Sequence, residues 1–300
     1  MRSRGPERQA DRASSVLRIA PLPPGRTGDP GLFNPGSVFW KVNRERVLIL
    51  AAPAAALLQI AHPLVAAAVA EHTDHARPPL ERLAANVATN LTVTFGDRHQ
   101  AAGAAAHVAA IHHRTRGILR ASGGRFAAGA AYDATDPGLL LWAHLTIVQV
   151  GLLAFERFVG PLAAEERDRY VDEARRFGEA FDVPAHRMPA TYAELVETFD
   201  AMVAGETLAV AGDALEQSKE ALDPVVPAFL RPSIPLTRIL AAGLLPDRLR
   251  RDFGLRWGRP QRSIFSATAA TLRANARVLP ERLRWWPHYR TALRRAAGIS

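Results

Sequence analysis

The chain has 300 residues, 48% of them apolar, enough for one sizeable buried core. It has no cysteine, which excludes disulfides, zinc–thiolate sites, iron–sulfur clusters and a thiolate-ligated haem, so any metal would rest on histidine, carboxylate, tyrosine or lysine. The formal charge of +9 comes almost wholly from scattered arginines, Lys41 and Lys219 being the only lysines, and with no helix-turn-helix, zinc-finger or RNA-binding signature nucleic acid is not an expected partner.

Met1–Arg26 is charged and proline-rich, without the apolar stretch of a signal peptide or a twin arginine. Residues 1–35 therefore read as a flexible tail, and cytoplasmic residence is the default expectation. From there the apolar spacing is helical almost throughout, with Pro and Gly as punctuation. Helices are predicted near 37–51, 54–61, 64–72, 79–95, 99–121, 137–158, 163–180, 190–212, 235–243, 260–276 and 280–297. Pro79, Pro137 and Pro280 stand where a first-turn proline is tolerated, Asp136 precedes one of them as an N-cap, and Thr191 with Glu194 has capping-box spacing. No repeat or linker divides the chain. The expected fold is all-α: one large bundle of about ten helices over residues 36–298, enclosing a cofactor pocket.

Val47–Ala70 and Pro137–Phe155 contain no Asp, Glu, Lys or Arg, and each is long enough to cross a bilayer. The first is broken by Pro53, Gln59, His62 and Pro63, and the second carries His144 and Gln149. A helix that is apolar all round also suits the centre of a soluble bundle, so buried core is the favoured reading and peripheral membrane contact stays open.

The polar residues inside these apolar stretches are the informative ones, because burial without a partner costs about 1–3 kcal/mol. His62 interrupts an apolar run, His112 ends the run Ala101–Ile111, and His144 is embedded in Leu139–Val148. Leu140, Leu141, Ile147, Val148 and Gly151 share the face of His144. A neutral buried imidazole can bind a metal through one nitrogen while the other takes a hydrogen bond; the bland reading is a core histidine satisfied by a carbonyl. Ala105, Val108, Ala109 and Ile111 make the surroundings of His112 small and apolar, which leaves room for a flat cofactor. Arg114 and Arg116 follow within a turn or so and could reach an anionic edge, or simply a solvated helix end. Arg82 and Asn86, four residues apart, could together offer donors to dioxygen or a carboxylate; the alternative is an Arg–Glu pair. No His-Glu-x-x-His helix, Gly-x-Ser-x-Gly elbow, phosphate-binding loop or paired Glu-x-x-His is present.

Gln59-Ile-Ala-His-Pro63, Pro79-Leu-Glu-Arg-Leu83 leading to Thr94-Phe-Gly96, Ile111-His112 ahead of Gly117, Tyr132-Asp-Ala-Thr-Asp-Pro137, Trp142-Ala-His144 and Leu255-Arg-Trp-Gly258 occur in one order. In order and spacing they resemble the family of latex-clearing rubber oxygenases and MpaB-type oxygenases, over roughly residues 36–298. The resemblance implies an all-α fold around one haem b, with His112 at the position of the axial iron ligand and Arg82 at that of an arginine supporting the haem. The family's rubber-cleaving members have a threonine where this chain has Asn86 and a lysine where it has Ala85. The expectation is a haem b-dependent oxygenase using dioxygen on a hydrophobic, unsaturated or lipid-like substrate. In it His112 ligates iron, Arg82 and Arg116 hold the haem, Arg82 and Asn86 polarise oxygen, and His62 and His144 line the site. The alternative is a non-enzymatic haem or apolar-ligand binding protein.

Overall fold

A computed structural model describes residues 19–74, 76–226 and 228–299. The fold is all-α: helix makes up 66% of it, in 14 helices among the described residues, with one small two-stranded sheet. In chain order these are α1 (Val38–Asn43), a 3-10 segment (Arg46–Ala51), α2 (Ala52–Ile60), α3 (Pro63–His72), α4 (Pro79–Phe95) and α5 (Arg98–His112). The hairpin β1 (Arg116–Ile118) and β2 (Ala131–Asp133) leads to α6 (Pro137–Phe158), α7 (Ala164–Ala180), α8 (Tyr192–Ala204) and α9 (Asp213–Leu222). The chain closes with α10 (Ile234–Leu244), α11 (Asp247–Asp252), α12 (Arg259–Val278), α13 (Glu281–Arg284) and α14 (Pro287–Ala296).

Helix α6 is the axis of the bundle. Its buried residues, from Leu139 and Trp142 through Val148 and Leu152 to Phe158, lie on all sides of it. The 3-10 segment, α2, α7, α8 and α12 all pack on it. It is long and apolar enough to cross a membrane by length and composition, and 61% of its most apolar stretch is covered by the rest of the fold. The other apolar stretch is bent by 108° between α2 and α3. Pro63 opens α3 and keeps His62 before it extended (φ −84°, ψ 118°), so the helix cannot run through. The anticipated caps form: Asp136 accepts from Gly138 and Leu139, and the Thr191 hydroxyl from the Glu194 amide.

Several boundaries differ from expectation. The helix anticipated over 99–121 ends at His112, where the Thr115 hydroxyl donates to the Ile111 carbonyl. Beyond it Gly117 pairs with Tyr132 in the hairpin, and a Cβ at Gly117 would collide with the Tyr132 ring and hydroxyl. Strands of three residues are too short to show alternation. The helix anticipated over 190–212 stops at Ala204 because Gly205 is extended, and Gly212 (φ +47°) starts the separate, unforeseen α9.

The expected tail is corrected in part. Residues 1–18 lie outside the described residues. Residues 19–35 pack on the body: Leu22 and Phe33 are buried, and Phe33 stacks on Phe39 with ring centroids 4.5 Å apart. Asp29 accepts from the Arg98 amide and Asp97 from the Arg26 amide, so the α4–α5 corner holds this segment.

The arginine excess has a structural use. Arg248 donates to the carbonyls of Val203, Gly205 (2.6 Å) and Leu208 (2.7 Å) past the end of α8. Arg250 does so for Ala242 and Leu245, both at 2.7 Å, at the end of α10. Arg273 reaches Glu156 (2.9 Å) and Arg157 (3.2 Å) at the end of α6. Arg295, 3% exposed, reaches Phe95 at the end of α4 and Asp29, each at 2.7 Å. The last carbonyls of a helix have no partner within it and carry its negative dipole end, so a guanidinium there supplies both bonds and charge. Arg295→Ala should therefore cost about 2–4 kcal/mol by leaving buried carbonyls unpaired. Lys219→Ala, which removes an exposed pair with Glu216, should cost less than about 0.5 kcal/mol; denaturant unfolding of both variants reads the difference.

Candidate functional site

Helix α5 begins in a capping box, Asp97 accepting from the Gln100 amide while the Gln100 side chain accepts from Asp97. From there Ala101, Ala105 and Ala109 form one row, and His112 follows one turn beyond Ala109 on the same face. The alanines line a cleft of about 330 Å³, closed by Leu32, Arg98, Ala180 and Asp182. His112 is half-buried at the end of this row and its ring makes no hydrogen bond among the described residues. Burial lowers its pKa below the ordinary imidazole value; His113 adds to this and the Asp182 carboxylate opposes it.

Asp182 sits where α7 ends. It is the one non-glycine residue with positive φ (61°) among those described. The Val183 amide reaches back to the Gly178 carbonyl (3.0 Å) and the Asp182 amide to Glu179 (3.1 Å), a Schellman turn with aspartate in the place glycine usually takes. Aspartate tolerates that conformation better than most residues, which is why no glycine marked this helix end in the sequence.

His144, 5% exposed, lies against the same turn from the other side. A Cβ at Gly178 would stand 3.0 Å from His144 Nδ1 and Cε1 and would collide with Met188 Sδ, so only glycine lets α6 and α7 approach this closely. Nδ1 of His144 has no hydrogen-bond partner, and burial holds its pKa down at about 4. The ring is neutral, with one nitrogen unspent.

His62 is equally buried but stands elsewhere. Its ring leans on Phe126 (centroids 5.2 Å apart), Nδ1 is unpartnered, and its pKa is lowered to about 4 by burial and Arg125 against the pull of Asp136. Helix α2, which leads to it, meets α6 where Trp142 Nε1 donates to the Leu58 carbonyl (3.0 Å) and Gln59 to Thr146 Oγ1 (3.2 Å). Positions 142 and 146 lie about 160° around α6 from position 144. The structure thus brings His112 and His144 to one helix end and leaves His62 on the far side of α6.

The predicted arginines do not gather there. Arg82 is bound to Glu220 of α9 and donates to the carbonyls of Arg77 (2.7 Å) and Asp74 (3.5 Å), fastening the start of α4. Asn86 is exposed, and Arg116 pairs with Asp133 (2.8 Å) on the exposed hairpin. The Arg–Glu alternative weighed for Arg82 holds, with Glu220 as partner. Asp182, Gly178 and Met188 are the residues the sequence did not single out.

Among the described residues no three His, Asp or Glu side chains come together as a metal cage. A metal here would need a single protein ligand and the remainder from a group it arrives with. The residues around His112 that fit such a group are its own unbonded ring, the small side chains of the alanine row beside a cleft, and partly uncovered apolar neighbours. Over Arg82–Asn90 no residue of α4 is fully buried, and Ile111 is 44% exposed.

An all-helical domain with a half-buried histidine one turn beyond a row of small residues, and a second, buried histidine with an unpartnered ring nitrogen against the end of α7, is the class of protein this geometry defines. Residues 40–274 match the family described as ER-bound oxygenase mpaB/B'/rubber oxygenase, catalytic domain, and the chain belongs to that family of oxygenase catalytic domains, which makes it an oxidoreductase-type domain. No curated protein and no solved structure matches it.

The buried histidines give a pH signature. Their folded pKa of about 4 lies below the unfolded value of about 6.5, so the unfolded chain binds more protons between these limits. Stability is full above pH ~6.5 and falls as pH drops towards 4, by up to about 3 kcal/mol for each ring. His144→Leu should flatten the pH dependence of unfolding over this window; an unchanged slope would place the ring in water.

Proposed function

We propose that the chain is a haem b-dependent oxygenase that uses dioxygen to oxidise a hydrophobic, unsaturated or lipid-like substrate, with His112 as the residue that would hold the iron. The observation that carries this reading is the placement of His112 in an oxygenase-family chain, beyond the alanine row, with an unbonded ring whose pKa is lowered by burial. A neutral imidazole is the form that ligates. When bound, the haem supplies the redox-active iron at which dioxygen is activated.

The chain's own residues do the rest. His112 would present one ring nitrogen from the last turn of α5, and Asp182, which acts on it electrostatically, would accept a hydrogen bond from the other N–H and so hold the ring in one tautomer. Such an outer carboxylate raises the donor strength of a ligating histidine. Ala109 and its small neighbours would let a flat group approach the helix, beside a cleft lined by Leu32 and Ala180 on its apolar side and by Arg98 and Asp182 as its charged groups. His144 can offer or accept one hydrogen bond through Nδ1 from an otherwise dry shell. Arg82 contributes by locking α4 to α9.

Purified protein, expressed with ample haem precursor or reconstituted with hemin, should show a Soret band, and His112→Ala should lose most of it. Asp182→Asn should keep the haem but loosen it by about tenfold or more, the usual cost of removing an outer-shell partner. Turnover is read as oxygen uptake and product from an unsaturated lipid. A colourless preparation under both conditions overturns haem dependence, a full band in His112→Ala removes that ligand, and a band without turnover leaves a haem carrier.

A further inference from the structure

The segment between α9 and α11 combines exposed apolar side chains with an exposed cation. Pro224–Pro246 carries Arg231 and Arg238 and no carboxylate. Its first half is largely a 3-10 segment, Ala228–Ser233, with Pro232 inside it. Here apolar side chains stand in solvent: Val225 is 85% exposed, Phe229 60% and Leu236 37%. Arg231 is exposed beside them and has no hydrogen bond or ion pair among the described residues. Arg238, by contrast, is tied to Asp223 (3.1 Å) and to the Leu222 carbonyl (3.3 Å), which pins the segment to the end of α9. Val278, Leu279 and Leu283, also exposed, have Glu281 among them, and exposed Ile118 lies next to Arg116, whose charge is paired with Asp133.

We propose that this segment docks the protein on an anionic lipid bilayer, Val225, Phe229 and Leu236 entering the interface while Arg231 meets the headgroups. The size and the charge of the patch both suit a bilayer better than a protein. The apolar area these three side chains expose is about a few hundred Å² at most, whereas a stable protein interface takes about 800 Å² from each partner. A few apolar side chains beside a cation suffice at a membrane surface, where burial and attraction to anionic lipid add. The charge complements it too, since the chain carries +9 and this segment has no carboxylate to be repelled. Lipid binding is measured without turnover and so does not depend on the catalytic reading.

The test is co-sedimentation of the full chain with vesicles of phosphatidylcholine alone and with about a third phosphatidylglycerol. Binding should appear with the anionic vesicles and weaken with added salt. Phe229→Glu and Val225→Glu should each reduce it by about tenfold or more, the expected cost of withdrawing one large apolar side chain. Arg231→Gln should weaken binding to anionic vesicles only. These side chains are exposed, so circular dichroism and the unfolding midpoint should not change. Wild-type protein that stays in the supernatant with both vesicles overturns the proposal, as does Phe229→Glu binding like wild type. An elution volume that shifts from dimer to monomer in Phe229→Glu, without vesicle binding, assigns the patch to a second copy of the chain instead.

Discussion

A helix that is apolar around its whole circumference cannot lie at a surface, and α6 is such a helix. Everything else in the fold is arranged by the need to enclose its 22 residues. The 3-10 segment and α2 cover one side, α7 and α8 the other, and α12 lies along its later half. The covering is fixed by polar atoms inside the greasy shell: indole N–H groups of Trp142 and Trp40 spent on the carbonyls of Leu58 and Thr94. Each bond makes one pairing of elements better than its alternatives, because a buried indole N–H without a partner would cost as much as a bond gains.

Enclosing a helix also buries its ends, and an all-helical protein has many ends to satisfy. In this chain guanidinium groups perform that task at α4, α6, α8 and α10. The basic charge that would suggest nucleic acid by composition is thus partly consumed inside the fold, opposite the negative ends of helices. Arginine suits the position because its planar fork serves two or three carbonyls at once and stays charged when half-buried. Glu45, fully buried, is the acidic counterpart: Arg284 (2.6 Å), the Trp285 indole (3.1 Å) and Arg44 (3.6 Å) surround it, joining the start of the bundle to its last helices.

The long helices were legible because their apolar periodicity is strong and their caps are chemical: α4 and α6 run from residue 79 to 95 and from 137 to 158, as their prolines and glycine indicate. What escaped was short or set by distant contacts. The strands at 116–118 and 131–133 hold three residues each, and the polar α9 turns its apolar face to α2, α3 and α10. Residues 19–35 look like a tail by composition, yet Phe33 finds Phe39 and Asp29 finds α5. At the site, the three apolar-embedded histidines were visible in the sequence, but which of them share a helix end depends on the rotation of α6 and the closeness allowed by Gly178. Arg82 and Asn86 have the spacing of one helix face, but Arg82 spends its guanidinium on Glu220 and Asn86 points to water.

Asp182 is asked to satisfy two masters. The backbone there would relax with glycine, and asparagine would tolerate the same left-handed geometry, but both would erase the negative charge beside His112. A drifting sequence that favours thermal robustness is drawn towards glycine at this position, while one that needs an oriented, electron-rich imidazole is held at aspartate. The residue found at the tip of α7 therefore serves as a readable record, in any sister chain, of which demand prevailed.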